Sequence, residues 1–247
     1  MPSKQKHRGQ HGNDPDLFHP RNLPRLNEAV RDYSYLLTYN YPENGSLKLI
    51  GDRYRLTDRQ RKAVLRAGCS DQSLAHRLTH AAVKEDVAGK KLAIDGYNLL
   101  ITMESGLAGG IVLDCRDGCY RDIASVHGTY RKVDETHPAL GMIGDFIKNL
   151  QPSGVVFYLD KPVSNSGRLR QMMEEISVEK GYGWEIWLVN NPDKEISEQK
   201  DVIAISSDSW VLDNSPLWYN LPKDILSEVS DLNILSLKGA PPFNLAQ

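Results

Sequence analysis

Three aspartates follow apolar runs of strand character in this 247-residue chain. Asp95 ends Leu92-Ala93-Ile94, Asp160 ends the run from Val155 to Leu159, and Asp208 follows Ile203-Ala204-Ile205-Ser206-Ser207. In an open parallel sheet, sites form outside the carboxyl ends of strands. Carboxylates gathered there repel and resist ionising together unless a cation neutralises them. An all-oxygen donor set suits a hard ion, Mg2+ or Mn2+. Such an ion stabilises the charge that builds up on an attacked phosphate. A strand-end aspartate also caps the helix that follows it, so each one alone has a structural explanation. Three at one edge point to a site.

Further charged clusters suit a phosphate-bearing substrate. Asp114-Cys115-Arg116-Asp117-Gly118, with Arg121 and Asp122, sets charges around a turn. Asp117 is a candidate additional acid, and Arg121 or Arg131 could hold phosphate. A solvated turn with local ion pairs explains the same residues. Ser164-Asn165-Ser166-Gly167-Arg168 opens a long predicted helix, where backbone N–H groups and the dipole favour an anion. Ser166 and Arg168 are the candidates there, with simple capping as the alternative. Between Arg53 and Arg66 the chain holds six basic residues and one acid. Arg53, Arg55, Arg59, Arg61 and Lys62 could grip a nucleic-acid backbone while Tyr54 stacks on a base. The alternative is a solvated helix paired with the acidic second part of the chain. Cys115-x3-Cys119, with His127 and His137, matches no common zinc-finger spacing. Neither Gly-x-Ser-x-Gly nor an ATP-binding P-loop occurs. The four tryptophans, Trp184, Trp187, Trp210 and Trp218, read as core residues.

The elements that must position these groups fall into two styles. Residues 1–22 lack an apolar period and read as a flexible basic arm. Leu26, Ala29, Val30, Tyr33, Leu36 and Leu37 share one helical face that Pro42 ends. A short segment, Leu47–Ile50, stops at Gly51. Thr57-Asp58-Arg59-Gln60 is a capping box before Ala63, Val64 and Ala67. A further helix after Gly68-Cys69-Ser70 should carry Leu74, Leu78 and Ala81 inward. After Gly89, strands alternate with helices. Strand candidates are Leu92–Asp95, Ile111–Asp114, Val155–Asp160, Glu185–Asn190 and Val202–Ser206. Helices are expected at Leu99–Ser105, Tyr120–Ser125, Ala139–Leu150 and Arg168–Lys180, with a last one opened by Pro222. This pattern predicts an α/β protein: a mainly parallel, Rossmann-like sheet with helices on both faces, after a small all-helical domain. The expected divisions are an arm over 1–22, a helical domain over 23–86, an α/β domain over 87–235 and a disordered tail over 236–247.

Composition sets outer limits. Hydrophobic residues make up 40 %, enough for a sizeable core. No apolar run reaches the ~20 residues of a membrane helix. The N-terminus has no apolar stretch of a signal peptide, and three cysteines do not make a disulfide scaffold, which suits the cytoplasm. The net charge of −2 conceals a division. Residues 1–85 carry 15 Lys and Arg against 9 Asp and Glu, and the remainder 15 against 23. A basic module followed by an acidic one suits polyanion capture joined to cation-dependent chemistry; two ordinary solvated surfaces would look the same.

Asp95-Gly96-Tyr97-Asn98, with a strand before and a helix after, resembles the opening motif of PIN/NYN-like ribonucleases. Ile203-Ala204-Ile205-Ser206-Ser207-Asp208 resembles their later Ser/Thr-x-Asp strand. The overall layout resembles an uncharacterised prokaryotic family in which a helical domain of unknown function precedes a PIN-like domain. The resemblance extends over roughly residues 24–230, most densely at 47–66, 91–131, 159–170 and 190–220. It implies that Asp95, Asp160 and Asp208 hold metal. The fourth acid of that superfamily falls at Asp193, on the short stretch from Asn191 to Gln199. Asn98 would orient a ligand or touch phosphate, with Ser207 among the substrate contacts. The implied activity is metal-dependent phosphodiester hydrolysis, with RNA as the partner. A non-catalytic RNA- or partner-binding protein on the same scaffold is the alternative.

Overall fold

The computed structural model describes residues 7–124 and 128–239. Its N-terminal part is helical: α1 (Asp14–Leu17), α2 (Leu23–Thr38), α3 (Glu43–Arg53), α4 (Asp58–Ala67) and α5 (Asp71–Thr79). Helix α2 buries Leu26, Ala29, Val30 and Tyr33, one stripe at helical spacing. Helix α4 starts at the anticipated capping box, with Thr57 accepting from the Gln60 N–H and Gln60 accepting from the Thr57 N–H.

Three expectations for this part fail. The 47–50 segment belongs to α3, which runs through Gly51. The Arg61 guanidinium lies over Gly51 where a Cβ would stand, so this glycine serves close packing rather than termination. Helix α5 does not turn Leu74, Leu78 and Ala81 inward. Leu78 is 60 % exposed, and the buried residue of that helix is Arg77. The described part of the arm is not loose: Phe18 and Arg8 are buried, and Arg59 ties Asp14 and the Gly9 carbonyl to α4.

The remainder comprises β1 (Lys91–Asp95), α6 (Gly96–Leu107), β2 (Val112–Cys115), β3 (Tyr120–Asp122), α7 (Thr136–Leu150), β4 (Gly154–Asp160), α8 (Ser166–Lys180) and β5 (Trp184–Val189). It continues with α9 (Pro192–Ser197), β6 (Val202–Ile205), α10 (Ser209–Asn214), α11 (Leu221–Ser227) and β7 (Ile234–Leu237). The main sheet has four parallel strands in the order β5-β4-β1-β6. Strands β1, β4 and β6 are apolar runs that are largely buried, as a parallel sheet requires, while the edge strand β5 exposes Glu185 and Trp187. The chain moves outward from β1 to β4 and β5, then returns to pair β6 with the other side of β1. The end of β1 is therefore the topological switch point, where an open sheet leaves a crevice.

A second sheet, β3-β2-β7, was not anticipated. Where a helix was expected over Tyr120–Ser125, Tyr120–Asp122 form β3, antiparallel to β2, and Ile123 and Ala124 are irregular; Ser125 lies outside the described residues. The Asp117-Gly118 turn, with Gly118 at φ +81, reverses the chain into a hairpin. Strand β7 pairs with β2 in parallel and occupies Ser236 and Leu237, which the sequence assigned to a disordered tail. Leu235 and Leu237 supply its apolar face. They join Ile111, Leu113, Cys115 and Ile123 in one core with the buried residues of α2 and α4. This second core lies between the helical segment and the small sheet.

Candidate functional site

Asp95 occupies the switch point and is 6 % exposed. It caps α6, its Oδ1 accepting from the Asn98 N–H at 3.1 Å. Gly96 lets α6 begin this close to the sheet, since a Cβ would stand 2.5 Å from Leu159 Cδ2 and 3.3 Å from the Tyr158 carbonyl. The other Asp95 oxygen accepts from Ser206 Oγ at 3.1 Å, and that hydroxyl accepts from the Asp208 N–H at 3.0 Å. Asn98 Oδ1 accepts from both the Ser207 N–H (2.8 Å) and its hydroxyl (2.9 Å). Three hydrogen bonds thus join Asp95 and the first turn of α6 to the end of β6. Asn98 and Ser207, expected at the substrate, hold one another.

Asp208 caps α10 by accepting from the Trp210 N–H at 2.8 Å. Capping and clustering are therefore not alternatives for Asp95 and Asp208; the caps orient the carboxylates. Asp160 ends β4 half-buried and caps nothing, because Asn165 holds the N-cap position of α8. The stretch carrying Asp193 is a short helix, α9, capped by Asn191, with Asp193 in its first turn.

Electrostatics links the four acids. Burial pushes the Asp95 carboxyl up to about 8; the Asn98 N–H opposes the rise, and the charges of Asp193, Asp160 and Asp208 add to it. Burial, then the charges of Asp208 and Asp160, raises Asp193 to about 6. Burial also raises Asp160. The four share one field at the carboxyl edge of the sheet. Among the described residues, no three His, Cys, Asp or Glu side chains already form a metal-binding group. The donor chemistry still fits a hard cation: oxygen donors only, with a charge excess that a cation relieves.

Asp117 and Arg121 are not at a substrate surface. Asp117 is 3 % exposed and takes both terminal nitrogens of Arg121, at 2.8 and 2.6 Å, plus Arg77 Nη1 at 2.7 Å. The two guanidiniums hold its carboxyl far below the usual range despite burial. Arg77 also binds Asp213 through two nitrogens, at 2.7 and 2.9 Å. Arg121 Nε donates to the Ser207 carbonyl at 2.7 Å. The cluster thus fastens α5 and the hairpin turn to the loop carrying Asp208. Asp122 is buried too, accepting from Thr102 and the Ala124 N–H.

The basic stretch is largely committed to internal bonds. Arg59 holds Asp14, Arg61 holds Asp52 and the Leu56 carbonyl, and Lys62 donates to the Ala124 carbonyl. Burial, helped by Arg66, lowers Lys62 to about 8. Arg53 and Arg55 stay exposed, Arg53 lying 3.8 Å from Asp32. Tyr54 gives its hydroxyl to Asp32 and its ring to Arg53, so it is no free platform. Ser166 is buried and donates back to the Lys161 carbonyl. Arg131 and Arg168, distant in sequence, line one cavity. Cys115 and Cys119 are buried free thiols, both pushed up by burial; His137 is exposed on α7, and His127 lies outside the described residues.

Sequence reasoning passed over three features. Ser206 bridges two of the acids through one hydroxyl. The Tyr97 hydroxyl, inside the Asp-Gly-Tyr-Asn motif, is buried with no hydrogen-bond partner among the described residues. Trp187 and Trp210 are 55 % and 59 % exposed, while Trp184 and Trp218 are core residues. The alternation of β5 already puts Trp187 opposite Ile186, and Trp210 stands two residues after a cap, on the first turn of a short helix; both signals were readable.

A four-stranded parallel sheet with acids converging at its switch point, joined to a helical N-terminal segment, defines the class. The chain belongs to the family described as a domain of unknown function (DUF5616), whose model matches residues 84–224. A second model, a protein of unknown function (DUF434), matches residues 25–79. The uncharacterized protein MJ0935 of Methanocaldococcus jannaschii is 30% identical over 209 residues, covering 82% of this chain and 95% of that protein. No solved structure matches. Among the described residues, no helix is long and apolar enough to cross a membrane.

Proposed function

We propose that this chain is a metal-dependent phosphodiesterase of PIN/NYN-like type, acting on RNA in the cytoplasm. The observation that supports the reading is Asp95: a carboxylate buried at the switch point, with three other acids raising its affinity for a proton. A polypeptide keeps such a group when a cation takes the proton's place. Asp95, Asp160, Asp193 and Asp208 would hold Mg2+ or Mn2+, which when bound polarises a phosphoryl oxygen and offsets the charge developing there.

The protein's own part is positional. The Asn98 N–H and the Ser206 hydroxyl fix both oxygens of Asp95. The Ser207–Asn98 pair keeps the ends of β1 and β6 in register. Arg121 supports that loop from below through the Ser207 carbonyl. The test is cleavage of single-stranded and structured RNA with Mn2+ or Mg2+, comparing wild type with Asp95→Asn. Equal cleavage by both, or none across a broad substrate panel, rejects catalysis.

A second reading, a non-catalytic RNA- or partner-binding protein on this scaffold, is favoured by the shortness of the α9 connection that carries Asp193. Titration calorimetry separates the two. No heat at about millimolar Mn2+, with RNA still bound, selects the second.

A further inference from the structure

Most arginines of the helical segment and hairpin are spent on protein acceptors: Arg8 on Glu104, Arg59 on Asp14, Arg77 and Arg121 on Asp117, Arg116 on Asp71. Arg131, Lys132 and Arg168 differ. All three are exposed, and among the described residues no ion pair engages their side chains. They converge on one cavity of about 390 Å³ whose described lining includes no carboxylate. Its apolar part comes from Tyr130, Leu169 and Met172.

This cavity neighbours the acids. Asp160 and Asn165 are separated by one short loop, and Asn165 Nδ2 donates to the Tyr130 carbonyl at 2.9 Å. The Tyr130 ring lies 5.4 Å from that of Tyr97, centroid to centroid. Tyr97 follows Asp95-Gly96, feels the charge of Asp160, and carries the buried hydroxyl that lacks a partner although the residue is only 6 % exposed. A buried hydroxyl without a partner is costly, and a bound polar group satisfies it.

We propose that the cavity between residues 130–132 and the start of α8 binds the phosphate backbone of single-stranded nucleic acid and leads it past Tyr97 toward the acid cluster. Three unpaired cations neutralise successive phosphates. The apolar floor accepts an unstacked base, which a duplex cannot offer without opening. The inference rests on the phosphodiesterase reading for its direction, but binding is testable apart from cleavage.

The test is fluorescence anisotropy of a labelled single-stranded oligoribonucleotide with the full chain in EDTA. It compares wild type, Asp95→Asn, Tyr97→Phe and the triple variant Arg131→Gln/Lys132→Gln/Arg168→Gln. The expected result is at least about 10-fold weaker binding by the triple variant at about 0.1 M salt. Its salt-dependence slope should be shallower by about 2, since each single-strand phosphate contact contributes about 0.7. Tyr97→Phe should weaken binding with its melting temperature kept or raised, and Asp95→Asn should bind at least as well as wild type. Unchanged affinity and slope in the triple variant overturn the proposal, as does tighter binding of the matching duplex. Bound but uncleaved RNA defeats the catalytic reading alone. Metal-dependent cleavage with unaltered triple-variant binding defeats the cavity alone.

Discussion

Replacing Asp95 by Asn should stabilise the metal-free protein while removing its response to divalent cations. Burial and the neighbouring acids move this carboxyl from 3.8 to about 8. A carboxyl raised in the folded state contributes its full stability below the unfolded value, and that contribution is lost as pH rises through the folded value. At pH 7 the fold must retain a proton that the unfolded chain releases, which costs about 4 kcal/mol at 1.36 kcal/mol per unit. Asn keeps an acceptor for the Asn98 N–H but not for the Ser206 hydroxyl, a loss of about 1 kcal/mol. The balance favours the variant by about 3 kcal/mol, or about 6–12 °C in melting temperature for a chain of this size. The advantage should vanish as pH falls toward 4. Thermal scans of both proteins in EDTA, from pH 5 to 8, measure the gap directly. Millimolar Mn2+ should then raise the melting temperature of wild type alone. A gap that is absent or independent of pH refutes the electrostatic account of the site. A wild-type melting temperature unmoved by Mn2+ refutes the metal.

Asp117→Ala should destabilise by about 3–5 kcal/mol in urea unfolding, because Arg77 and Arg121 would stay buried without their shared partner. Since the Asp117 carboxyl is held well below its ordinary range, its contribution is present above about pH 4 and lost on acidification; a loss under 1 kcal/mol would contradict this. Trp210→Ala should leave stability within about 0.5 kcal/mol, as the ring is 59 % exposed beside Asp208. If that ring stacks on a base near the acids, binding of single-stranded RNA should weaken by about 5-fold or more, and unchanged affinity would remove it from the substrate path. Arg8→Ala leaves Glu104, fully buried, with only the Tyr130 and Thr136 hydroxyls. The expected outcome is about 3 kcal/mol of destabilisation and faster proteolysis within residues 7–22, and resistance equal to wild type would argue against a fastened arm.

Periodicity and punctuation were enough to recover the main sheet. Four strand candidates match its strands β1, β4, β5 and β6 to within a residue or two, because the strands of a parallel sheet are largely apolar runs, and a fifth matches β2 of the second sheet. The acids were legible for a related reason: a parallel strand must end at the site edge, so an aspartate closing an apolar run is already placed there. What the sequence hid were decisions made by partners distant along the chain. Tyr120–Asp122 pairs with β2 because Gly118 turns the backbone, and β7 is a strand only because β2 offers its edge. The charged residues divide the same way. Arg59, Arg61 and Arg121 look like Arg131 and Arg168 in the sequence, yet the first three are closed by acceptors 2.5 to 2.8 Å away, while the last two are left open. Sequence alone therefore determined which residue types were available for chemistry and which edge of the sheet would present them. Only tertiary structure decided which charges were neutralised inside the fold, because a charge taken out of water must find its partner wherever the packing brings one.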